Sequence, residues 1–143
     1  MTADIDEVLV AHAEFYAAFE RADYDAMQEV WADDDGIVCV HPAAEPIRGR
    51  VAVMRSWLAL MAGVPYIQFF LTDVQASVVG DLASVSCREN VLSAGADTPI
   101  GAFAGGSAAA TNVFRHTPSG WRLWVHHASP VLSKAEAGQE ETP

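Results

Sequence analysis

Glu89 is one of two residues of this sequence whose type and position suit the transfer of a proton. It lies in residues 85–91, where apolar and polar side chains alternate as they do along a half-buried β-strand. Strict alternation puts Glu89 on the more apolar face, where the loss of hydration raises the pKa of a carboxyl group and suits it to general acid or base catalysis. The alternatives are a side chain that points outward, and an ion pair with Arg115 or Arg122 from a neighbouring strand.

A second candidate lies in residues 120–130, which contain two adjacent histidines. Because neighbouring residues of a strand point to opposite faces, His126 and His127 cannot line one cavity unless a β-bulge intervenes. His127 shares its face with apolar residues, so we predict that it lies inside and shuttles a proton near neutral pH. The alternative is a core histidine bonded to the backbone or to Asn112. His126 then lies on the outer face beside Trp124.

Further polar and aromatic residues could bind or orient a ligand. Asn112 alternates with apolar neighbours, so its amide could donate to a developing oxyanion, and the alternative is a structural amide bonded to Glu89 or His127. His41 ends a short apolar run, where it could face a ligand or anchor a loop. Core packing is the alternative for His12 and for the aromatic residues. The predicted catalytic residues are Glu89, His127 and Asn112, and the predicted ligand contacts are His41, Tyr16, Trp57, Tyr66 and His12.

Composition and missing motifs argue against several classes of function. Lys and Arg number 8 against 19 Asp and Glu, so the formal net charge is −11, which disfavours binding to nucleic acid or to an anionic membrane surface. The sequence has no Cys/His spacing typical of a metal site, no GxGxxG motif and no GxSxG motif, so we predict no metal and no cofactor. It has neither a basic and apolar leader nor an apolar run of membrane-spanning length, and we therefore predict a cytoplasmic protein.

Helical patterns come first in the chain, and strand patterns follow. This segregation predicts an α+β fold in which helices pack on one face of an antiparallel sheet that bends around a cavity. We predict one domain over residues 1–143, with a core at about 5–132 and a flexible acidic tail at 133–143. Periodicity and turn residues predict helices at 5–19, 24–31 and 51–61, and strands at 37–41, 66–79, 82–93, 100–116 and 120–130.

The order of several short motifs resembles that of one known family. They are Trp31, VCVHP at 38–42, IRG at 47–49, Ser56-Trp57, TNVF at 111–114 and GWRLWVHHASP at 120–130. Over residues 5–132 the chain resembles the SnoaL-like branch of the nuclear transport factor 2-like superfamily. The resemblance implies a cone-shaped α+β barrel, in which three N-terminal helices pack on a curved antiparallel sheet around a deep pocket. It also implies a homodimer through the outer sheet face, which we expect to include Arg122, Trp124 and His126.

The resemblance implies no single activity. Relatives include ketosteroid isomerases, polyketide cyclases, dehydratases, epoxide hydrolases and non-catalytic assembly modules, so the fold alone does not identify the reaction. We predict a cofactor-independent enzyme of isomerase, cyclase, dehydratase or hydrolase type, which uses acid and base groups on a small apolar oxygenated compound. The alternative is a non-catalytic ligand-binding or homodimeric assembly domain, which the aromatic and arginine residues of the outer face favour.

Overall fold

The computed structural model describes residues 2–94 and 104–132. The predicted loop at 94–99 beyond Ala94, the first residues of the predicted strand at 100–116 and the whole of the predicted tail at 133–143 lie outside the described residues. The helices are α1 (Thr2–Glu20), α2 (Tyr24–Val30) and α3 (Arg50–Gly63). The strands are β1 (Val38–Val40), β2 (Ile47–Arg48), β3 (Tyr66–Val79), β4 (Leu82–Ala94), β5 (Ala104–Thr117) and β6 (Gly120–Pro130). The predicted α+β class is confirmed, and β2 was not predicted.

The helices form where the apolar spacing predicts them. On α1, Val8, His12 and Phe15 are buried on one face at intervals of three and four residues, which is the period of an α-helix. Asp23 begins α2 as its N-cap, because its Oδ1 accepts a hydrogen bond of 3.0 Å from the backbone N–H of Ala26. None of the helices in the described part of the chain is both long and apolar enough to cross a membrane.

The six strands found in residues 2–94 and 104–132 form one sheet in the order β2-β1-β6-β5-β4-β3. Strands β3 to β6 form an antiparallel meander, as the sequence predicts. The prediction of a wholly antiparallel sheet is wrong at one pair, because β1 lies parallel to β6. No short turn joins these two strands, since most of the chain lies between them, and so nothing forces the antiparallel direction that a hairpin imposes.

A β-bulge in β6 reverses the alternation of its side chains. Val113 of β5 pairs with Val125, but the next residue of β5 pairs with Leu123, so Trp124 is inserted without a partner. Before the bulge the odd-numbered residues are buried, and after it the even-numbered residues are buried. His126 therefore points into the fold and His127 points outward. The opposite assignment predicted from strict alternation is wrong, because strict alternation assumes an uninterrupted ladder.

The two ends of the concave face differ in how they are filled. At one end, Trp31, Phe114 and Leu123 pack with residues of α1 into the closed core. Toward the other end, α1 is attached to β3 by Glu20, whose Oε2 accepts hydrogen bonds from Gln68 Nε2 at 3.0 Å and from Phe69 N at 2.8 Å. This attachment holds the end of α1 against the sheet beside the space described below.

Replacing Glu20 with Ala tests whether this attachment stabilises the fold. We expect Glu20→Ala to lower the free energy of unfolding by about 1–3 kcal/mol, because a partly buried charged acceptor with two donors is lost. The matched control is Glu14→Ala on the same helix, which removes an exposed ion pair with Arg21 and should cost less than about 1 kcal/mol. Urea unfolding curves measure both values, and equal losses in the two variants would contradict the proposed attachment.

Candidate active site

A cavity of about 460 Å³ lies between the helices and the concave face of the sheet. Aromatic and aliphatic side chains form most of its wall, and a few polar groups are placed among them. The helices, the loop at 41–42 and residue 64 contribute Phe15, Tyr16, Phe19, His41, Pro42, Trp57, Leu60 and Val64 to its lining. The sheet contributes Ile67, Phe69, Glu89, Val91, Ser93, Gly105, Gly106, Ser107, Ala108, His126 and Pro130.

Glu89 lies in the wall of this cavity and is only 4% exposed. The Tyr16 hydroxyl donates a hydrogen bond of 2.6 Å to its Oε2. Burial raises the pKa of the Glu89 carboxyl, and the hydrogen bond from Tyr16 offsets part of that rise. The predicted apolar environment is confirmed, and the alternative ion pairs are absent among the described residues, because Arg115 pairs with Asp34 and Arg122 donates to backbone carbonyls.

Asn112 lies directly behind the cavity wall and is completely buried. Its Nδ2 lies 3.0 Å from both His12 Nε2 and the Tyr16 hydroxyl oxygen, and its Oδ1 lies 2.6 Å from Nδ1 of His126. Both amide hydrogens are therefore used inside the protein, and Asn112 is not among the residues that line the cavity. The predicted donation from Asn112 to an oxyanion is wrong. The alternative of a structural amide holds, although its partners are not the predicted Glu89 and His127.

His126 takes the place in the cavity that the sequence assigned to His127. His126 lines the cavity and is 3% exposed, whereas His127 is exposed on the other face. Burial lowers the pKa of His126 to about 3, with smaller contributions from the nearby His41, His12 and His127. The imidazole in the cavity is therefore uncharged at neutral pH. The predicted catalytic role of His127 is wrong, because its side chain lies outside the cavity.

His41 also lines the cavity, as predicted, and a hydrogen-bond chain fixes its ring. Its Nε2 lies 3.0 Å from Ser56 Oγ, and that hydroxyl donates its own hydrogen to the Val53 carbonyl at 2.7 Å. Nε2 of His41 must then carry a hydrogen, because the serine oxygen can only accept from it. Burial lowers the pKa of His41 and favours the neutral ring. The ring packs edge-on against Trp57, with centroids 4.9 Å apart.

The other predicted ligand contacts divide into three groups. Tyr16 and Trp57 line the cavity. His12 is buried behind the wall, where burial lowers its pKa to about 4. Tyr66 is 40% exposed and is not among the lining residues, so the prediction that it contacts the ligand is wrong. Tyr66 alternates with the inward-facing Ile67 at the start of β3, and so it points away from the cavity.

Two adjacent glycines of β5 are a signal for the cavity in the sequence. Gly105 and Gly106 on β5 line the cavity, and a Cβ added at Gly106 would meet no described atom within 4 Å. Small residues in a strand opposite long apolar side chains leave volume that the helices do not fill. Two further wall residues, Phe19 and Phe69, were not predicted as ligand contacts. In the ranges 2–94 and 104–132, no group of three or more His, Cys, Asp or Glu side chains could hold a metal ion.

Comparisons with known proteins point to one family. A family model described as a SnoaL-like domain matches residues 8–133. The chain is 48% identical to a candidate dehydratase of the NTF2-like family from Streptomyces avermitilis, with 92% of this chain and 99% of that chain covered and a TM-score of 0.85. It is 35% identical to a candidate calcium/calmodulin-dependent protein kinase type II association domain from Thiobacillus denitrificans, with 85% and 93% covered and a TM-score of 0.73.

A curated relative is more distant. The chain is 24% identical over 125 residues to the F-box protein SKIP8 of Arabidopsis thaliana, and the match covers 87% of this chain and 50% of that protein. The chain thus spans about half the length of the curated relative it matches.

The raised pKa of Glu89 predicts how stability depends on pH. The folded state holds the Glu89 proton more tightly than the unfolded state, so this group stabilises the fold least once the pH exceeds its folded pKa. Its contribution is lost as the pH rises from about 4.5 through the folded pKa. The Glu89→Gln variant lacks this titration. The free energy of unfolding of the variant minus that of the original protein should therefore increase with pH over that interval.

Urea unfolding of both proteins between pH 4.5 and about pH 8 measures this difference. The lowered pKa values of His12 and His126 act in the opposite direction, since they reduce stability as the pH falls below 6.5. Both proteins contain these histidines, so their contribution cancels in the comparison. Parallel pH profiles for the two proteins would contradict a raised Glu89 pKa.

Proposed function

Because the chain belongs to the SnoaL-like family of nuclear transport factor 2-like proteins, we propose that it is a cofactor-independent enzyme that moves protons within a small, largely apolar oxygenated compound. The observation that carries this proposal is a buried carboxyl group, Glu89, in the wall of an apolar cavity. Its Oε2 accepts a hydrogen bond from the Tyr16 hydroxyl, and its Oε1 makes no hydrogen bond with a described residue. Burial brings the pKa of Glu89 closer to neutral pH, which suits a group that must both take and return a proton.

The reaction that fits best is the elimination of water from a β-hydroxy ketone. The Glu89 carboxylate takes the proton from the carbon between the ketone and the hydroxyl-bearing carbon. The electrons of that C–H bond form the C=C bond as the C–O bond breaks, and Glu89 returns the proton to the departing oxygen, so that water leaves. Similarity to a candidate dehydratase at 48% identity favours elimination over isomerisation.

The cavity also favours an uncharged substrate. Glu89 is the acidic residue of the described lining, and Lys and Arg are absent from that lining, so an anionic ligand would meet a carboxylate and no cation. The neutral rings of His41 and His126 can orient the oxygen atoms of a bound molecule. The volume of about 460 Å³ suits a compound of one or two rings.

Turnover of a bicyclic β-hydroxy ketone tests the proposal. A hydroxytetralone with its hydroxyl group β to the ketone loses water to give a naphthol, which is followed by its absorbance. We expect Glu89→Gln to lower kcat by about 10²–10⁴-fold, because a group that transfers the proton is lost. The matched control is His127→Ala, which lies outside the cavity and should retain full turnover. Absence of turnover in the original protein, or unchanged turnover in Glu89→Gln, would contradict the proposed reaction.

A second candidate function is assembly through the outer face of the sheet. It is favoured by 35% identity to a candidate association domain and by Trp124, whose ring lies under the Arg115 guanidinium at 5.5 Å. Of the three residues predicted for this interface, His126 is wrong because it is buried. Arg122 already donates to the carbonyls of Glu29 and Ser119. The two functions are compatible, because the cavity and the outer face lie on opposite sides of the sheet.

A charge at the centre of the outer face tests this assembly. Thr111 is exposed there, between Ser86 and His127 on the neighbouring strands. We expect a dimer by light scattering at micromolar concentration, and a monomer with an unchanged circular dichroism spectrum for Thr111→Glu, because two buried carboxylates would repel each other. The control is Ser77→Glu, at the far end of β3. A monomeric original protein would contradict the assembly.

A further inference from the structure

Polar groups in and behind the cavity wall form one continuous hydrogen-bond chain. It runs from Glu89 through Tyr16 and Asn112 to His126, over contacts of 2.6, 3.0 and 2.6 Å. Glu89 and His126, at the two ends of this hydrogen-bond chain, line the cavity. Between them, Tyr16 and Asn112 connect α1 with β5. Because each bond needs one donor and one acceptor, the position of each hydrogen constrains the next.

The donors and acceptors of this hydrogen-bond chain can be assigned one after another, starting at the Glu89 carboxyl group. Tyr16 has a single hydroxyl hydrogen, and it is directed at Glu89 Oε2, so the tyrosine oxygen can only accept from Asn112. The Asn112 atom that faces Tyr16 is therefore the nitrogen, and the same nitrogen donates to His12 Nε2. This leaves the amide oxygen facing His126. An amide oxygen cannot donate, so Nδ1 of His126 must carry the hydrogen.

These hydrogen positions determine which atoms of His126 and Glu89 remain available to a ligand in the cavity. With a hydrogen on Nδ1, the neutral His126 ring has its lone pair on Nε2, for which no hydrogen bond is found among the described residues. With Oε2 occupied by Tyr16, Glu89 exchanges its proton on Oε1. We propose that Asn112 is a positioning residue whose uncharged amide directs the acceptor nitrogen of His126 and the free oxygen of Glu89 into the cavity.

This assignment deepens the proposed function and rests on it for its catalytic meaning. A substrate hydroxyl can donate to Nε2 of His126 while its neighbouring carbon faces Oε1 of Glu89. The amide at residue 112 matters because it is neutral. An ionised carboxylate of similar shape at that position would attract a proton to His126 and convert its acceptor nitrogen into a donor. It would also remove the amide N–H groups that donate hydrogen bonds to Tyr16 and His12.

Three other histidines near His126 act in the same direction as the amide. His12 faces it from α1, His41 from the end of β1, and His127 is its neighbour in sequence. Any positive charge on these rings disfavours a charged His126, whereas an ionised Glu89, which faces the same cavity from β4, favours it. Asn112 is the group in direct contact with Nδ1 of His126, so a change at residue 112 should have the largest effect on the pKa of His126.

The tautomer of His126 can be measured without substrate. Long-range nitrogen–proton spectra of protein containing isotopically labelled histidine report which ring nitrogen is protonated. We expect the His126 signals of the original protein at about pH 7 to show hydrogen on Nδ1 and a bare Nε2. The opposite tautomer, or a charged ring, would overturn the proposal without any variant being made.

Asn112→Asp gives the second test. We expect the pKa of His126 to rise by about 1–3 units, because an ionised carboxylate at residue 112 favours the charged ring. The matched control is Asn90→Asp on the outer face, where Asn90 bonds Phe70 O and Thr72 Oγ1; it should leave the His126 signals unchanged. An unchanged His126 pKa in a folded Asn112→Asp protein would overturn the proposal. Because the spectra need no turnover, failure of the proposed reaction is distinguishable from failure of this assignment.

Discussion

Pairing of buried polar atoms is the constraint on which the candidate active site depends. In an apolar interior an unpaired amide or hydroxyl costs about 1–3 kcal/mol, so polar side chains must meet one another when they leave water. Asn112 meets this requirement with two donated bonds and one accepted bond at once. Its neighbours Tyr16, His12 and His126 come from one helix and one strand that are far apart in the chain. The same pairing that satisfies the interior therefore sets the orientation of the groups at the cavity wall.

The bulge at Trp124 determines which histidine takes part in that pairing. Without it, β6 would continue to place odd-numbered residues inside, and His126 would face solvent. The extra residue exchanges the two faces in the second half of the strand, and it leaves the first half packed in the core. A local irregularity of one residue thus decides the chemistry of the cavity. Bulges commonly redirect side chains beside functional sites in this way.

The cavity exists because its two walls are built from unequal side chains. Helices α1 and α3 present large aromatic residues, and the opposite part of β5 presents Gly105, Gly106 and Ala108. The remaining volume has an apolar wall, so the few polar atoms that reach it are poorly hydrated. This explains why burial raises the pKa of Glu89 and lowers the pKa of His41 and His126. All three shifts favour the neutral forms, which is the electrostatic character expected of a site for an uncharged compound.

The sequence by itself determined the three helices, the strands other than β2 and the buried face of β4, because periodicity is local and survives in any well-packed fold. It therefore predicted Glu89, Tyr16, Trp57 and His41 in the cavity. Only the tertiary structure decided the direction of β1, the orientation of His126 and the partners of Asn112. These depend on strand register and on contacts between distant elements, and an inserted residue that shifts the register leaves no periodic signal in the strand that contains it.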